Sequence, residues 1–148
     1  MADELNNLSG AEYQIIGKAM AERMAGYEGL PAGTKIDYQA INGPGHIGFL
    51  NMPGGKYLHR DVYGGFDAQL PFQIGYMFSG TGNSDTLNAE AVIDGIVEYL
   101  SSKPYPALTG GRIINLIDFD STTYRSQAGN DGSIILVRSG SVRYECYL

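Results

Sequence analysis

The sequence predicts an α+β fold: a mainly antiparallel β-sheet of four to five strands with two helices packed on one face. The strongest pattern lies at residues 69–79, where apolar residues alternate with small or polar ones at the two-residue period of a half-buried strand. At residues 89–100 the apolar positions recur three and four apart, which is typical of an amphipathic helix. A chain of 148 residues can bury one sizeable core, so we expect a single domain over 1–148.

A first helix is expected to begin near Gly10. Ser9 and Glu12 have the spacing of a capping box, and Leu8 and Tyr13 occupy the two positions of a hydrophobic staple. The glycines and the proline that follow this segment indicate where the helix ends.

Two strands are predicted next, at 36–40 and 46–52. The turn residues at 42–45 favour an antiparallel hairpin between these strands. From 53 to 68 the alternation is lost among glycines, so we expect a long loop, and loops of that length are usually functional or mobile.

The alternating strand is followed by a predicted turn at 80–83 and by the amphipathic helix, for which Ser84 or Asp85 provides a cap. Residues 112–119 are apolar at nearly every step, which is typical of an interior strand. A polar loop is expected at 120–131.

The C-terminal segment, residues 133–148, has two possible structures. It forms either one long strand with a kink at Ser139 and Gly140 or a hairpin that turns at those residues.

Bulk composition excludes several classes of protein. The net charge of −6 has the wrong sign for non-specific binding to nucleic acid. Cys146 is the only cysteine, which excludes an internal disulfide and favours a reducing compartment. No N-terminal signal peptide and no apolar run approaching ~18 residues is present, so we expect a soluble protein with no membrane segment.

The sharpest enzymatic motif is at Asp118, Asp120 and Thr122, which is similar to the nucleophile loop of haloacid-dehalogenase-like phosphatases. That chemistry needs a later lysine, whereas none of the 26 residues after Thr122 is a lysine. The histidines and the cysteine have no zinc-ligand spacing. We therefore expect no enzyme, no catalytic or metal-binding residue and no cofactor, with a small magnesium-dependent phosphatase using Asp118 and Asp120 as the alternative.

Two loops carry residues suited to protein contacts. The first contains the rings of Tyr57, Tyr63 and Phe66 among glycines, and the second contains Tyr124 and Arg125. Aromatic residues often anchor interfaces, so these five are candidate interface residues. The alternative is that the rings fold back over the domain's own core.

The order of the elements, rather than any catalytic signature, resembles a known family. A strand at 72–78 is followed by a helix at 88–100, by Pro-Ala-Leu-Thr-Gly-Gly at 106–111 before the strand of Ile113, and by a closing strand that ends in Val-Arg-Tyr at 142–144. Over residues 10–148 this order resembles the tail terminator, or minor capsid, proteins of long-tailed, siphovirus-type bacteriophages.

The resemblance implies a structural virion protein at the head-tail junction, assembled in the host cytoplasm. It implies a homo-oligomeric ring of roughly six subunits that closes the head-proximal end of the tail tube. Its expected partners are the tail tube protein, whose polymerisation it stops, and the head-tail connector protein, which docks on it. Another head-tail joining protein of the neck is the alternative within virion proteins.

An acidic stripe on the second helix has a further possible role in such a ring. Glu90, Asp94 and Glu98 are four residues apart and share one face, which by default is a solvated surface. If this face lines a central channel, its charge repels the DNA backbone and lets DNA pass through without specific binding.

Overall fold

The chain folds into two helices and seven strands within the part that the computed structural model describes, which is residues 7–79, 83–128 and 133–147. The sheet is mixed, with β1 and β2 parallel and the other pairs antiparallel. The predicted α+β class is confirmed, although the sheet has more strands than the four to five predicted. The elements are, in order, α1 (Gly10–Ala25), β1 (Lys35–Tyr38), β2 (His46–Asn51), β3 (Lys56–Arg60), β4 (Phe66–Ser79), α2 (Asn83–Ser101), β5 (Arg112–Phe119), β6 (Tyr124–Ala128) and β7 (Ser133–Cys146).

The long strands β4 and β7 form the centre of the sheet and pair along their whole length, from Phe66 opposite Cys146 to Ser79 opposite Ser133. At the Ser79 end, β2 pairs with β4 and β6 pairs with β7. At the Phe66 end, β3 pairs with β4 and β5 pairs with β7. The strands β3 and β5 therefore lie at opposite edges of one end of the sheet, with β4 and β7 between them.

The hydrophobic core lies between the two helices and one face of the sheet. The Phe49 and Phe72 rings stack at 4.8 Å between centroids, and the Phe119 ring meets Phe72 edge-on at 5.2 Å. The alternation predicted for β4 is confirmed, because every second residue is buried beneath the helices. The buried residues of these elements are Ile16, Met20 and Met24 of α1, Ala89, Ile93, Ile96 and Leu100 of α2, and Ala68, Leu70, Phe72, Ile74, Tyr76 and Phe78 of β4.

The predicted start of α1 is confirmed, because the Ser9 hydroxyl accepts a hydrogen bond from the Glu12 N–H at 3.4 Å. The carboxylate of Glu12 does not complete the capping box, since it bonds to distant side chains of the core instead. Neither α1 nor α2, the helices of the described part, has the length and apolar composition needed to cross a membrane.

The hairpin predicted from 36 to 52 is wrong, because β1 and β2 run parallel. After β1 the chain turns at Gln39, which has a positive φ of 61° and donates its N–H to the Phe49 carbonyl oxygen at 2.8 Å. The Asp37 carboxylate then accepts the Asn42 N–H at 2.9 Å and bonds His46 Nδ1 at 2.8 Å. These polar contacts lie in the segment that brings the chain back beside the start of β1. The turn residues therefore belong to a crossover between parallel strands and not to a hairpin.

The predicted loops at 53–68 and 120–131 are also corrected, because they contain β3 and β6. Each of these short strands has an irregular register, between Tyr57 and His59 in β3 and between Arg125 and Gln127 in β6. The register shift breaks the regular pairing of each strand, and four of the five residues of β3 are exposed, so the alternation of a half-buried strand is absent there.

The strand β5 is an edge strand and not the interior strand that its apolar sequence predicts. Ile113 is 52% exposed and Leu116 is 48% exposed on it. The C-terminal segment is one long strand, and its register with β4 continues without a shift at Ser139 and Gly140. Most of the predicted turn at 80–83 lies outside the described residues, and α2 already begins at Asn83.

Candidate contact surfaces

A buried ionic cluster joins α1 to the adjacent ends of β5 and β7. The two oxygens of the Glu12 carboxylate accept hydrogen bonds from Arg112, from Nε at 2.9 Å and from Nη2 at 2.6 Å. The Tyr144 hydroxyl donates a third bond to the same carboxylate at 2.9 Å. Arg112 Nη1 also donates to the Thr109 carbonyl oxygen at 3.1 Å, so the cluster fixes the segment that precedes β5.

The electrostatics of this cluster favour a charged Glu12. Burial alone raises the pKa of Glu12, but the hydrogen bonds from Arg112 and Tyr144 and the charge of Arg112 outweigh it, so the pKa is lowered. Burial and the bond to Glu12 raise the pKa of the Tyr144 hydroxyl. These shifts keep Glu12 charged and Tyr144 neutral near neutral pH, as in a structural cluster, and the spacing of these residues in the sequence gave no signal of the cluster.

The two most exposed large hydrophobic side chains in the described part of the chain lie at the tip of the β3–β4 hairpin. Val62 is 92% exposed and Tyr63 is 87% exposed. The turn is nevertheless fixed, because the Asp61 carboxylate accepts the N–H groups of Tyr63 and Gly65 at 2.8 and 3.0 Å. We call residues 61–65 the hairpin tip.

Two of the predicted contact rings lie at the base of this hairpin and not at its tip. Tyr57 and Phe66 are half-buried and meet edge-on with 4.9 Å between ring centroids. Phe66 also lies 6.0 Å from the ring of Tyr144, and the Arg60 guanidinium lies 3.7 Å above the ring of Tyr57. Of the three predicted rings in this segment, Tyr63 is therefore the one that the structure presents to solvent.

The second predicted contact pair, Tyr124 and Arg125, lies on β6 at the other end of the sheet. Tyr124 is 47% exposed, and its hydroxyl accepts a hydrogen bond from Gln73 Nε2 at 2.8 Å. Arg125 is exposed and lies opposite Leu136 in the strand register. The structure therefore does not bring the two predicted contact sets together.

A groove that the sequence did not reveal lies along the outer edge of β5. It is open to solvent and has a volume of about 820 Å³ between residues 103–108 and the first half of the strand. Its apolar wall includes Pro106, Leu108 and Ile113, and Lys103 lies beside it with Nζ 6.0 Å from the Tyr105 ring centroid. We call this cavity the edge groove.

The predicted acidic stripe lies along α2, with Glu90 half-buried and with Asp94 and Glu98 exposed. Asp94 Oδ1 accepts a hydrogen bond from Arg138 Nη1 at 2.9 Å. Arg138 also bonds the Thr123 hydroxyl at 3.2 Å, so it links α2 to the segment before β6. One of the three acids is therefore partly neutralised by a neighbouring cation.

The carboxylates of the phosphatase-like motif lie where β5 ends. Asp118 is exposed opposite Ser141, and the Asp120 main-chain N–H donates to the Ser139 carbonyl oxygen at 2.8 Å. Across residues 7–79, 83–128 and 133–147, no group of three or more histidine, cysteine, aspartate or glutamate side chains could hold a metal ion.

Comparison with known proteins gives a likeness of fold. No protein-family model matches the chain, and no curated protein sequence matches it. A chain of a solved structure described as the virion of a native gene transfer agent (GTA) particle superposes on it with a TM-score of 0.68 and 16% sequence identity. The match covers 93% of this chain and 99% of that one, so the two share essentially their whole fold.

Proposed function

We propose that this protein is a structural component of a phage-like virion. In this role it forms a closed ring at the head-proximal end of the tail tube, stops tube polymerisation and provides the docking surface for the head connector. The observation that carries the proposal is the shared fold with a chain of the gene transfer agent virion, matched over 99% of that chain's length. The tail-terminator resemblance of the sequence supports the position within the virion.

The distribution of polar groups supports a role in contact rather than in chemistry. The buried Glu12 carboxylate accepts hydrogen bonds from Arg112 and Tyr144, and the Asp94 carboxylate accepts one from Arg138. By contrast, apolar surface is exposed at the hairpin tip and along the edge groove. A head-to-tail ring needs two different patches on each subunit, and these two surfaces are different in shape and position.

The acidic stripe on α2 is proposed to face the channel of the ring. Glu90 and Glu98 carry its net charge, because the charge of Asp94 is balanced by Arg138. Like charges in a narrow bore repel the DNA backbone until salt screens them, so DNA would pass without being held.

The proposal is tested by mixing the purified protein with tail-tube subunits of the same virus. A terminator should shorten the tubes as its proportion rises and should be found at one tube end by immunogold electron microscopy. Tubes of unchanged length, together with binding to the connector or the portal, would instead support another head-tail joining protein.

A further inference from the structure

We infer that neighbouring copies of this chain contact each other by inserting the hairpin tip of one copy into the edge groove of the next. The inference rests on the proposed function, because it names the contact that closes the proposed ring. The proposed occupant of the groove is a second copy of this chain.

The hairpin tip is suited to be the inserted part. Val62 and Tyr63 are adjacent, apolar and almost fully exposed, and tyrosine is among the residues that most often dominate binding energy. Asp61 already fixes the turn through the N–H groups of Tyr63 and Gly65. Insertion therefore requires little further ordering of the main chain, and the remaining entropic cost is that of ordering the two exposed side chains.

The edge groove is suited to receive the tip in size and apolar character. A cavity of about 820 Å³ lies within the usual range for small-ligand sites, so it has room for two side chains. Its walls are also fixed in place. Arg112 ties the segment before β5 to Glu12, and Arg23 Nη2 donates to the Pro104 carbonyl oxygen at 2.9 Å.

One charge on each surface suits a contact between them, while Arg60, next to the tip, lies over the ring of Tyr57. Lys103 is exposed beside the groove, and Asp61 is exposed at the start of the hairpin tip. The Asp61 carboxylate has more acceptor positions than its two main-chain bonds use. It can therefore also accept a hydrogen bond from the Lys103 ammonium of the next copy.

In this structure the tip does not lie in the groove of its own chain, because Val62 and Tyr63 are almost fully exposed and neither lines that groove. The tip follows β3 and the groove borders β5, and β4 and β7 lie between these strands. At about 4.8 Å per strand spacing, roughly 14 Å separates β3 from β5. The two surfaces therefore occupy different places at the same end of the sheet, and a head-to-tail ring requires two different patches on each subunit.

Cross-linking between introduced cysteines tests the contact. The protein with Tyr63→Cys and Leu108→Cys should give, on mild oxidation in the presence of tube subunits, a ladder of disulfide-linked oligomers on non-reducing gels. The wild type is a control that shows whether the native Cys146, which is buried, forms disulfide-linked oligomers by itself. A variant with Tyr63→Cys and Leu87→Cys is the matched control, because Leu87 is exposed on α2 and is not one of the residues that line the groove, and it should give no ladder.

A second measurement uses substitutions that leave the fold intact. Val62→Ser with Tyr63→Ser should keep the unfolding temperature and raise the concentration needed for half-maximal ring assembly at least tenfold, whereas Leu87→Ser should leave that concentration unchanged. The contact would be overturned, with the proposed function left standing, if the serine-tip variant formed rings at the wild-type concentration. It would be overturned equally if the variant with Tyr63→Cys and Leu108→Cys formed rings without a cross-linked ladder. A wild-type protein that forms no ring even with tube subunits would overturn both.

Discussion

Glu12 and Arg112 are 100 residues apart in the chain, yet their side chains form a two-point ion pair with distances of 2.9 and 2.6 Å. The Glu12 side chain is 8% exposed and the Arg112 side chain is 16% exposed. The attraction in such a pair can offset the cost of burying two charges only when the remaining hydrogen-bonding groups are satisfied, and here Tyr144 and the Thr109 carbonyl supply those partners. The pair holds α1 against the start of β5 and so positions the edge groove.

Removal of the charge on Glu12 is expected to destabilise the fold strongly. Glu12→Gln leaves the mostly buried Arg112 without its counter-ion, so we expect a loss of roughly 3 kcal/mol in the free energy of unfolding measured with urea. Asp94→Asn is the control, because Asp94 is 64% exposed and its pair with Arg138 should contribute less than about 1 kcal/mol. Equal effects of the two substitutions would contradict a special role for the buried pair.

The stability should also depend on pH through Glu12. Its pKa is lowered in the folded state, so the folded protein binds fewer protons here than the unfolded chain does. This contribution is fully present above the usual glutamate pKa of about 4.3 and is lost as the pH falls through the lowered value. Urea unfolding from pH 7 to pH 3 should therefore show a difference between wild type and Glu12→Gln that shrinks in acid. A difference that is constant with pH would argue against a charged Glu12.

Two glycines paired across β2 and β4 should differ in their tolerance of a side chain. A methyl group at Gly48 would meet the Ala40 main-chain carbonyl, whereas one at Gly75 would meet the end of the flexible Ile41 side chain at 2.5 Å. We expect Gly48→Ala to cost about 2 kcal/mol or more of unfolding free energy and Gly75→Ala to cost less. Thermal unfolding of both variants measures this order.

The Ile41→Ala background provides the control for that comparison. It should remove most of the cost of Gly75→Ala and leave the cost of Gly48→Ala largely unchanged, because the Ala40 carbonyl remains in place. If Ile41→Ala rescued both glycine variants to the same extent, the Ala40 carbonyl would not be the obstacle at Gly48, and the prediction would be wrong.

Charge reversal on α2 tests the proposed channel face. Glu90→Lys with Glu98→Lys should leave ring assembly intact and slow DNA passage, because a basic bore would bind the phosphate backbone. Asp94 is left unchanged because it pairs with Arg138. Particles carrying the double variant can be assayed for the rate of DNA release, with Glu22→Lys and Glu28→Lys on exposed positions as the matched control. Unchanged release by the α2 variant would dismiss the channel role.

The elements that could be predicted from the sequence are those whose signal is local. The alternation in β4, the helical period of α2 and the Ser9 cap of α1 are each complete within one segment. The elements that could not be predicted depend on distant partners. The strands β3 and β6 have shifted registers with their partners, and the parallel pairing of β1 with β2 depends on a crossover in which Asp37 contacts His46.

The candidate contact surfaces also differ in whether the sequence alone could predict their residues. The Tyr63 ring could be selected from the sequence as a large side chain among glycines, and its role in contact stays a prediction. The edge groove could not be found, because it is formed where residues 103–108 meet β5, an edge strand whose apolar sequence is typical of an interior one. Likewise, nothing near Glu12 in the sequence indicates that its partner is Arg112.

The mass of the assembled species tests the ring most directly. Native mass spectrometry over a range of protein concentrations, with and without short tail-tube fragments, should show one closed species at a fixed multiple of 16.0 kDa, and we expect roughly six copies. A single 16.0 kDa species under every condition, including saturating tube fragments, would contradict the account.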